Sequence, residues 1–462
     1  MKFRLFLFAL VFLAFNFAAP VPLSGEPAAH IEVDAGQVLA QVNPMLFGQN
    51  LGIGANATPQ YIRYYQDAGV TLLRFPGGNY GDENDLYHNN LDDLAALAKQ
   101  LNAQVSVQVR SWRLGTPEKA AEYVRYCNIE KKYAFVYWEV GNEPNLYNNR
   151  LNQPGDPLFD VNWYNAQYRQ YVTAMKAVDP TIKIFGPVVD QNGTLWLPDF
   201  IRANGDIIDG LSWHYYGHGN QLDDAQALQT QAYITTQVRA IRNRWKDPQV
   251  NPLGYKRPVP PLFLSEYNVS WASSVSRHLG GPVAALWNAE LLGRLANEGV
   301  EMGAHFALQG TSWQGMVGRL NDPRPAYGTY ELFSHWGVQE VAAVSSDEKI
   351  LPAFASLRKD GSLVLLVINK DALQSLTADL LLNSFNPAGT AQVWAVEQSQ
   401  PVAVQKPALT TLSPFTYTFP PYSVTLFILP PARFSWLWFA LGMVCALLLG
   451  LAVLRWQRMR QA

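Results

Sequence analysis

Residues 135–145 read Phe135-Val136-Tyr137-Trp138-Glu139-Val140-Gly141-Asn142-Glu143-Pro144-Asn145, a strand-length apolar run that stops at a glycine, an amide, an acid and a proline. A strand apolar on both faces belongs in a parallel sheet covered by helices, so its last residues project from the sheet's carboxyl end. A second run, Leu262-Phe263-Leu264-Ser265-Glu266-Tyr267-Asn268, repeats the pattern and sets another glutamate at a predicted strand end. Two carboxyl groups brought to one cleft are what cleavage of an acetal bond requires, one giving a proton and the other attacking carbon or activating water.

Outward from these runs, short apolar stretches alternate with helical spacing between Pro44 and about Trp336. Eight strands are predicted: Met45–Gly48, Thr71–Phe75, Gln104–Arg110, Phe135–Val140, Ile182–Gly186, Gly210–His214, Leu262–Ser265 and Met302–Leu308. Segments such as Pro117–Lys132 and Trp163–Val178 read as helices between them. Eight βα units predict a closed (β/α)8 TIM barrel over residues 44–336. Gly52-Ile53-Gly54-Ala55-Asn56-Ala57 has the spacing of a relaxed dinucleotide loop, but Arg74 stands where an acid should close the next strand. That segment is read as an ordinary barrel loop, and no cofactor is expected.

Beyond Trp336 the pattern changes to short alternating strands, among them Leu363–Ile368, Leu376–Leu382, Ala391–Val396 and Ser423–Leu429, with turns at Lys359-Asp360-Gly361 and Pro420-Pro421. A β-sandwich is expected over 337–429, with 30–43 as an extended segment pairing with it. Residues 1–25 open with Lys2 and Arg4 ahead of an apolar run, the pattern of a signal peptide or N-terminal anchor. Residues 434–454 carry no charge and match the ~20 residues of a transmembrane helix. Arg455, Arg458 and Arg460 follow in 455–462, a basic tail placed in the cytoplasm by the positive-inside rule. The expected fold is thus α/β, a TIM barrel with an appended β-sandwich and a C-terminal transmembrane helix. That helix would partner the membrane and hold the barrel outside the cell.

Net charge is −2 with 16% charged residues and no basic run, which argues against a nucleic-acid partner. The 14 Trp and 22 Tyr suit stacking on sugar faces as well as core packing. Of the two cysteines, Cys127 and Cys445, the second lies in the predicted span, so no internal disulfide is expected. Without a Cys cluster or a His-Glu-x-x-His run, and with His214 and His218 lacking a nearby carboxylate in sequence, no metal site is expected.

Asn142-Glu143-Pro144 and Leu264-Ser265-Glu266-Tyr267-Asn268, in this order, resemble the motifs ending strands four and seven of the clan A glycoside hydrolases. The nearest families are 51, 39 and 44, which hold arabinofuranosidases, xylosidases and endoglucanases. The resemblance implies that Glu143 is the acid/base and Glu266 the nucleophile of a retaining hydrolase acting on hemicellulose-type polysaccharide or oligosaccharide. Arg74-Phe75-Pro76-Gly77-Gly78-Asn79 is similar to the strand-two loop of family 51, which implies that Arg74 holds the nucleophile ionised and that Asn79 supports the site. His214-Tyr215-Tyr216 is similar to the clan's His-x-Tyr element, with His214 in support and Tyr216 bonded to the nucleophile. By the same resemblance Asn142 contacts the sugar's 2-hydroxyl and Trp313 forms the apolar floor. Tyr267 departs from the Trp common after the family 51 nucleophile. Glu139, four residues before Glu143, is expected on the same face. The competing reading is a non-catalytic carbohydrate-binding surface protein that retains the barrel.

Overall fold

A computed structural model gives the fold of residues 29–432, except 56, 151–154, 220, 311, 319, 399 and 412, and of 447–450 and 455–456. Strand β1 (Ala29–Gln41) precedes the barrel. Strands β2 (Gly48–Asn50), β3 (Leu72–Phe75), β4 (Gln104–Val109), β5 (Tyr137–Val140), β6 (Lys183–Val189), β7 (Gly210–His218), β8 (Leu262–Ser270) and β9 (Met302–His305) follow. They close into one barrel in chain order, with every neighbour parallel. Helices start where caps are encoded: Thr58 accepts from the Tyr61 amide, Thr116 from Lys119 and Asp160 from Trp163.

The predicted first strand is corrected. Asn43 caps the Met45 amide and Pro44 takes the first position of a 3-10 turn, Pro44–Phe47, so pairing begins only at Gly48. Strand alternation then sorts the barrel interior. Leu72, Phe185, Phe263, Met302 and Ala304 form an apolar plug, while Arg74, Glu139, His214 and Glu266 are polar groups buried on β3, β5, β7 and β8.

The second domain is a single nine-stranded sheet of β1, β10 (Gln339–Ser345), β11 (Ala353–Leu357), β12 (Leu363–Asn369), β13 (Leu376–Asn383), β14 (Thr390–Glu397), β15 (Gln400–Thr410), β16 (Phe415–Phe419) and β17 (Ser423–Leu429). β1 lies between β10, antiparallel, and β13, parallel. The sheet folds over itself: Phe415, Tyr417 and Phe419 of the edge strand β16 meet Phe427 of β17, six places away in the order. Leu363, Leu365 and Val367 face that inner core, whereas Val364, Leu366 and Ile368 join the core of the barrel. Both faces of β12 are therefore buried, and the two domains share packing.

At this junction Lys370 Nζ lies 2.8 Å from Glu290 Oε2 and donates to Leu228 O at 3.1 Å, with both charged side chains almost wholly buried. Removing one partner of a buried pair strands the other charge. Lys370→Met is expected to lower unfolding free energy by about 3 kcal/mol in a denaturant titration; a loss under about 1 kcal/mol would show that Arg294 and Gln231, which also bond Glu290, suffice.

The expected membrane helix at 434–454 is corrected. Among the described residues no helix is long and apolar enough to cross a membrane. Of that stretch only 447–450 is described, one helical turn of ~6 Å against a hydrocarbon core of ~30 Å. The rest of it, residues 1–28 and most of the basic tail lie outside the described residues. The fold class is accordingly a closed barrel with a large β domain, and the external, membrane-tethered placement that depended on the helix is withdrawn.

Candidate active site

Two local distortions aim the glutamates. After β5 the chain turns through Gly141 (φ 81°) and Glu143 (φ 50°). Only glycine fits at 141, because a Cβ there would stand 2.3 Å from Ser111 Oγ. Glu143 is a rarer occupant of the left-handed region, held there as its amide donates to Val188 O at 2.8 Å. In β8, Leu264 pairs with Trp213 but Glu266 with His214, so Ser265 is an extra residue. Strict alternation from the inward Phe263 would turn Glu266 outward; the bulge returns it to the interior. Glu266 therefore sits within β8 rather than at its end, correcting the sequence reading of that boundary.

Arg74 is fully buried and uses its whole guanidinium fork. Nε donates to Glu139 Oε2. Nη1 donates to Asn50 Oδ1 (2.9 Å) and Glu266 Oε1 (2.7 Å), and Nη2 to Gln108 Oε1 (3.3 Å) and Asn142 Oδ1 (3.0 Å). Glu266 Oε1 also accepts from the Gly78 amide (2.9 Å), and Oε2 from Tyr216 Oη (2.9 Å), with His214 Nδ1 at 3.6 Å. Burial alone would raise the Glu266 carboxyl, but His214, Arg74 and the Tyr216 hydroxyl outweigh it and leave it below its ordinary range. The Tyr216 hydroxyl is itself pushed well above the usual tyrosine range by burial and by the facing glutamates, so it stays a donor.

Glu143 has a different environment. Its Oε1 lies 3.0 Å from His214 Nδ1, its Oε2 accepts from Arg150 Nη2 at 3.2 Å, and its side chain keeps 16% of its surface exposed. An oxygen of Glu143, an oxygen of Glu266 and a ring nitrogen of His214 all fall within 4.8 Å of one another. Three such groups resemble a metal-ligand set. However, the Glu266 oxygens already accept from three donors, and Arg74 and Arg150 already pair with the two carboxylates. The set is better matched to a carboxyl pair than to a metal.

Arg74, Asn142, His214, Tyr216 and Asn79 are thus gathered around the two glutamates, Asn79 through its Oδ1, which accepts from Asn142 Nδ2 at 3.1 Å. Glu139 joins them beneath Arg74. Trp313 is 43% exposed, and the Arg324 guanidinium stacks on its ring at 4.5 Å. The Phe306 ring lies 3.3 Å from where a Gly78 side chain would begin, beside the amide that Glu266 accepts from. With Asn50, Gly77 and Gln314 it lines a hollow of about 200 Å³. Sequence reading missed Phe306, Asn50, Gln108, Arg150 and Asp82. Asn50 was hidden by ending the first strand two residues early; for Asp82 no motif was available.

No family model matches the chain. Bovine heparanase (Bos taurus) is 23% identical over 219 residues, 45% of this chain and 37% of that protein. The β-xylosidase of Geobacillus stearothermophilus is 23% identical over 284 residues, 56% of this chain and 51% of that protein. The chain thus spans between a third and about half the length of these curated relatives. Among solved structures, a family GH51 α-L-arabinofuranosidase from Thermotoga petrophila superposes with a TM-score of 0.70 at 18% identity, covering 87% of this chain and all of that one. A Paenibacillus polymyxa xyloglucanase of glycoside hydrolase family 44 gives 0.67 at 14% identity, covering 87% and 99%. The fold is that of the clan A glycoside hydrolases. Families 51 and 44, two of the three families that the sequence resembles, are the ones these structures represent.

Proposed function

We propose that this chain is a retaining O-glycoside hydrolase, with Glu266 as nucleophile and Glu143 as acid/base. The observation that carries this reading is the approach of one oxygen from each glutamate to within 4.8 Å. Retaining enzymes hold the pair ~5–5.5 Å apart so that a carboxylate reaches the anomeric carbon, whereas inverting enzymes leave ~6.5–9.5 Å for a water. In the first step Glu266, kept ionised by Arg74 and Tyr216, forms the bond to the anomeric carbon while Glu143 protonates the departing oxygen. In the second, Glu143 takes a proton from water as that water displaces Glu266 from the sugar. Asn142 Nδ2 gives one hydrogen to Asn79 and has a second for a substrate hydroxyl.

The names of two fold relatives, arabinofuranosidase and xyloglucanase, and of one sequence relative, β-xylosidase, favour hemicellulose-type glycans as substrates. A panel of aryl arabinofuranoside, xyloside and glucoside tests this, and no turnover on any member would count against it.

Glu143→Ala should cut turnover of a substrate with a poor leaving group by ~10²–10⁴-fold. A dinitrophenyl glycoside needs no protonation to leave, so it should still load the enzyme, and added azide should speed its turnover. The product should be a glycosyl azide of unchanged anomeric configuration by NMR. Azide without effect, or an inverted product, would defeat the assignment.

A further inference from the structure

Asp82 is wholly buried beside the candidate acid/base yet takes no part in the two steps above. It lies on the short helical turn Tyr80–Glu83 that follows Asn79. Its Oδ2 accepts from the Asn142 backbone amide (2.6 Å) and from Tyr147 Oη (2.7 Å), and its Oδ1 accepts from the Ser111 amide (3.1 Å). Asn79 and Asp82 therefore grip Asn142 together, one by its side chain and the other by its backbone. Both flank the Gly141–Glu143 turn, whose left-handed backbone at Glu143 needs such support.

Resting on the hydrolase reading above, we propose that Asp82 is a positioning residue for the acid/base: ionised, it clamps the turn that presents Asn142 and Glu143, and protonation releases the clamp. All three contacts ask for an acceptor. A proton on Oδ2 would reverse the Tyr147 contact and weaken the Asn142 contact, the one that fixes the turn. Tyr147 is walled by Trp112 and Phe159, with Trp163 partly covering it, so the carboxylate sits against an apolar cluster with little access to water. Burial raises its carboxyl to about 6, against the bonds from Tyr147 and Ser111, the Arg150 charge and the Asn142 amide. The titratable groups facing it are Arg150, Tyr147, Tyr164 and Tyr171; burial pushes the three tyrosines up, so Arg150 supplies the only charge among them. The nucleophile is held low, so a loss of activity near pH 6 is expected to come from Asp82 and not from Glu266.

The test is a pH profile of kcat and KM with an aryl glycoside for the wild type, Asp82→Asn and Tyr147→Phe. The wild type should lose kcat as pH falls through about 6. Asp82→Asn, whose amide nitrogen must face one of the donors, should lose ~10–100-fold in kcat with KM little changed, because a small misplacement of a catalytic group has that effect. Its remaining kcat should be flat through the same range. Tyr147→Phe removes one bond to the ionised form and should move the acid limb to higher pH, which decides the matter if Asp82→Asn fails to fold. An acid limb unchanged in Tyr147→Phe, or an Asp82→Asn enzyme within twofold of wild type with the same limb, would overturn the proposal. A wild type inert on every substrate would instead count against the hydrolase reading.

Discussion

Glu266→Ala is expected to abolish hydrolysis of an activated aryl glycoside, with a loss on the order of 10⁴-fold or more, because no other group stands where the covalent bond must form. The neighbouring carboxylate, Glu139, is bonded to Arg74 Nε in the barrel interior. Arg74 keeps Glu139, Asn50, Gln108 and Asn142 when Glu266 is removed, so the variant should fold with a far-ultraviolet spectrum like that of wild type. The vacated space is lined by the Gly78 amide, Tyr216 Oη and Arg74 Nη1, all donors, and would accept an anion. Azide entering there attacks the face that Glu266 used while Glu143 still protonates the leaving oxygen, giving a glycosyl azide of inverted configuration. The same anion thus reports opposite stereochemistry in the two glutamate variants. Residual activity above about one per cent in Glu266→Ala would reassign the nucleophile.

The barrel was legible because its signal is repetition: apolar runs alternating with helical stretches at regular spacing admit few other arrangements. The two glutamates were legible because each closes an apolar run and is followed by polar residues, a turn in the case of Glu143 and more of β8 in the case of Glu266. What stayed hidden depends on distortions that alternation does not encode. The Ser265 bulge decides which way Glu266 points, and a reading by strict period of two sends it into the surrounding helices. Asp82 lies in the loop after β3, 60 residues before the Asn142 amide it binds, and nothing in its neighbours marks it. Trp313 was assigned from its place after the last strand and the family resemblance, whereas the approach of the Gly78 backbone to the Phe306 ring is a contact between distant loops that no local pattern marks. The membrane reading failed differently: it rested on hydropathy in a stretch that is mostly outside the described residues, and no described helix supports it.

Arg74 carries the second large effect because it is the one cation between two buried carboxylates, Glu139 and Glu266. Arg74→Met strands Glu139 and leaves Glu266 only His214, the Tyr216 hydroxyl and the Gly78 amide, and breaking a buried ion pair from one side typically costs ~3–5 kcal/mol. Arg74→Lys keeps a charge but has three donors on one atom, so it cannot span five acceptors drawn from four strands and the β5 turn. It should fold better than Arg74→Met and still lose ~10²-fold in kcat through misplacement of Glu266 and Asn142. The pH dependence follows from the sign of the Glu266 shift. In the wild type the folded carboxyl sits below its ordinary value, so its contribution to stability is present above that value and fades as pH falls through the lowered one. Without Arg74, burial is opposed less, the folded carboxyl moves up, and the stability deficit of Arg74→Met should shrink as pH falls and Glu266 takes a proton. Adding Glu266→Gln to Arg74→Met should recover part of the lost stability at neutral pH, since it removes one stranded charge. Equal midpoints for the single and double variants across pH 4–8 in ~0.1 M salt would show that Arg74 holds the site by packing alone.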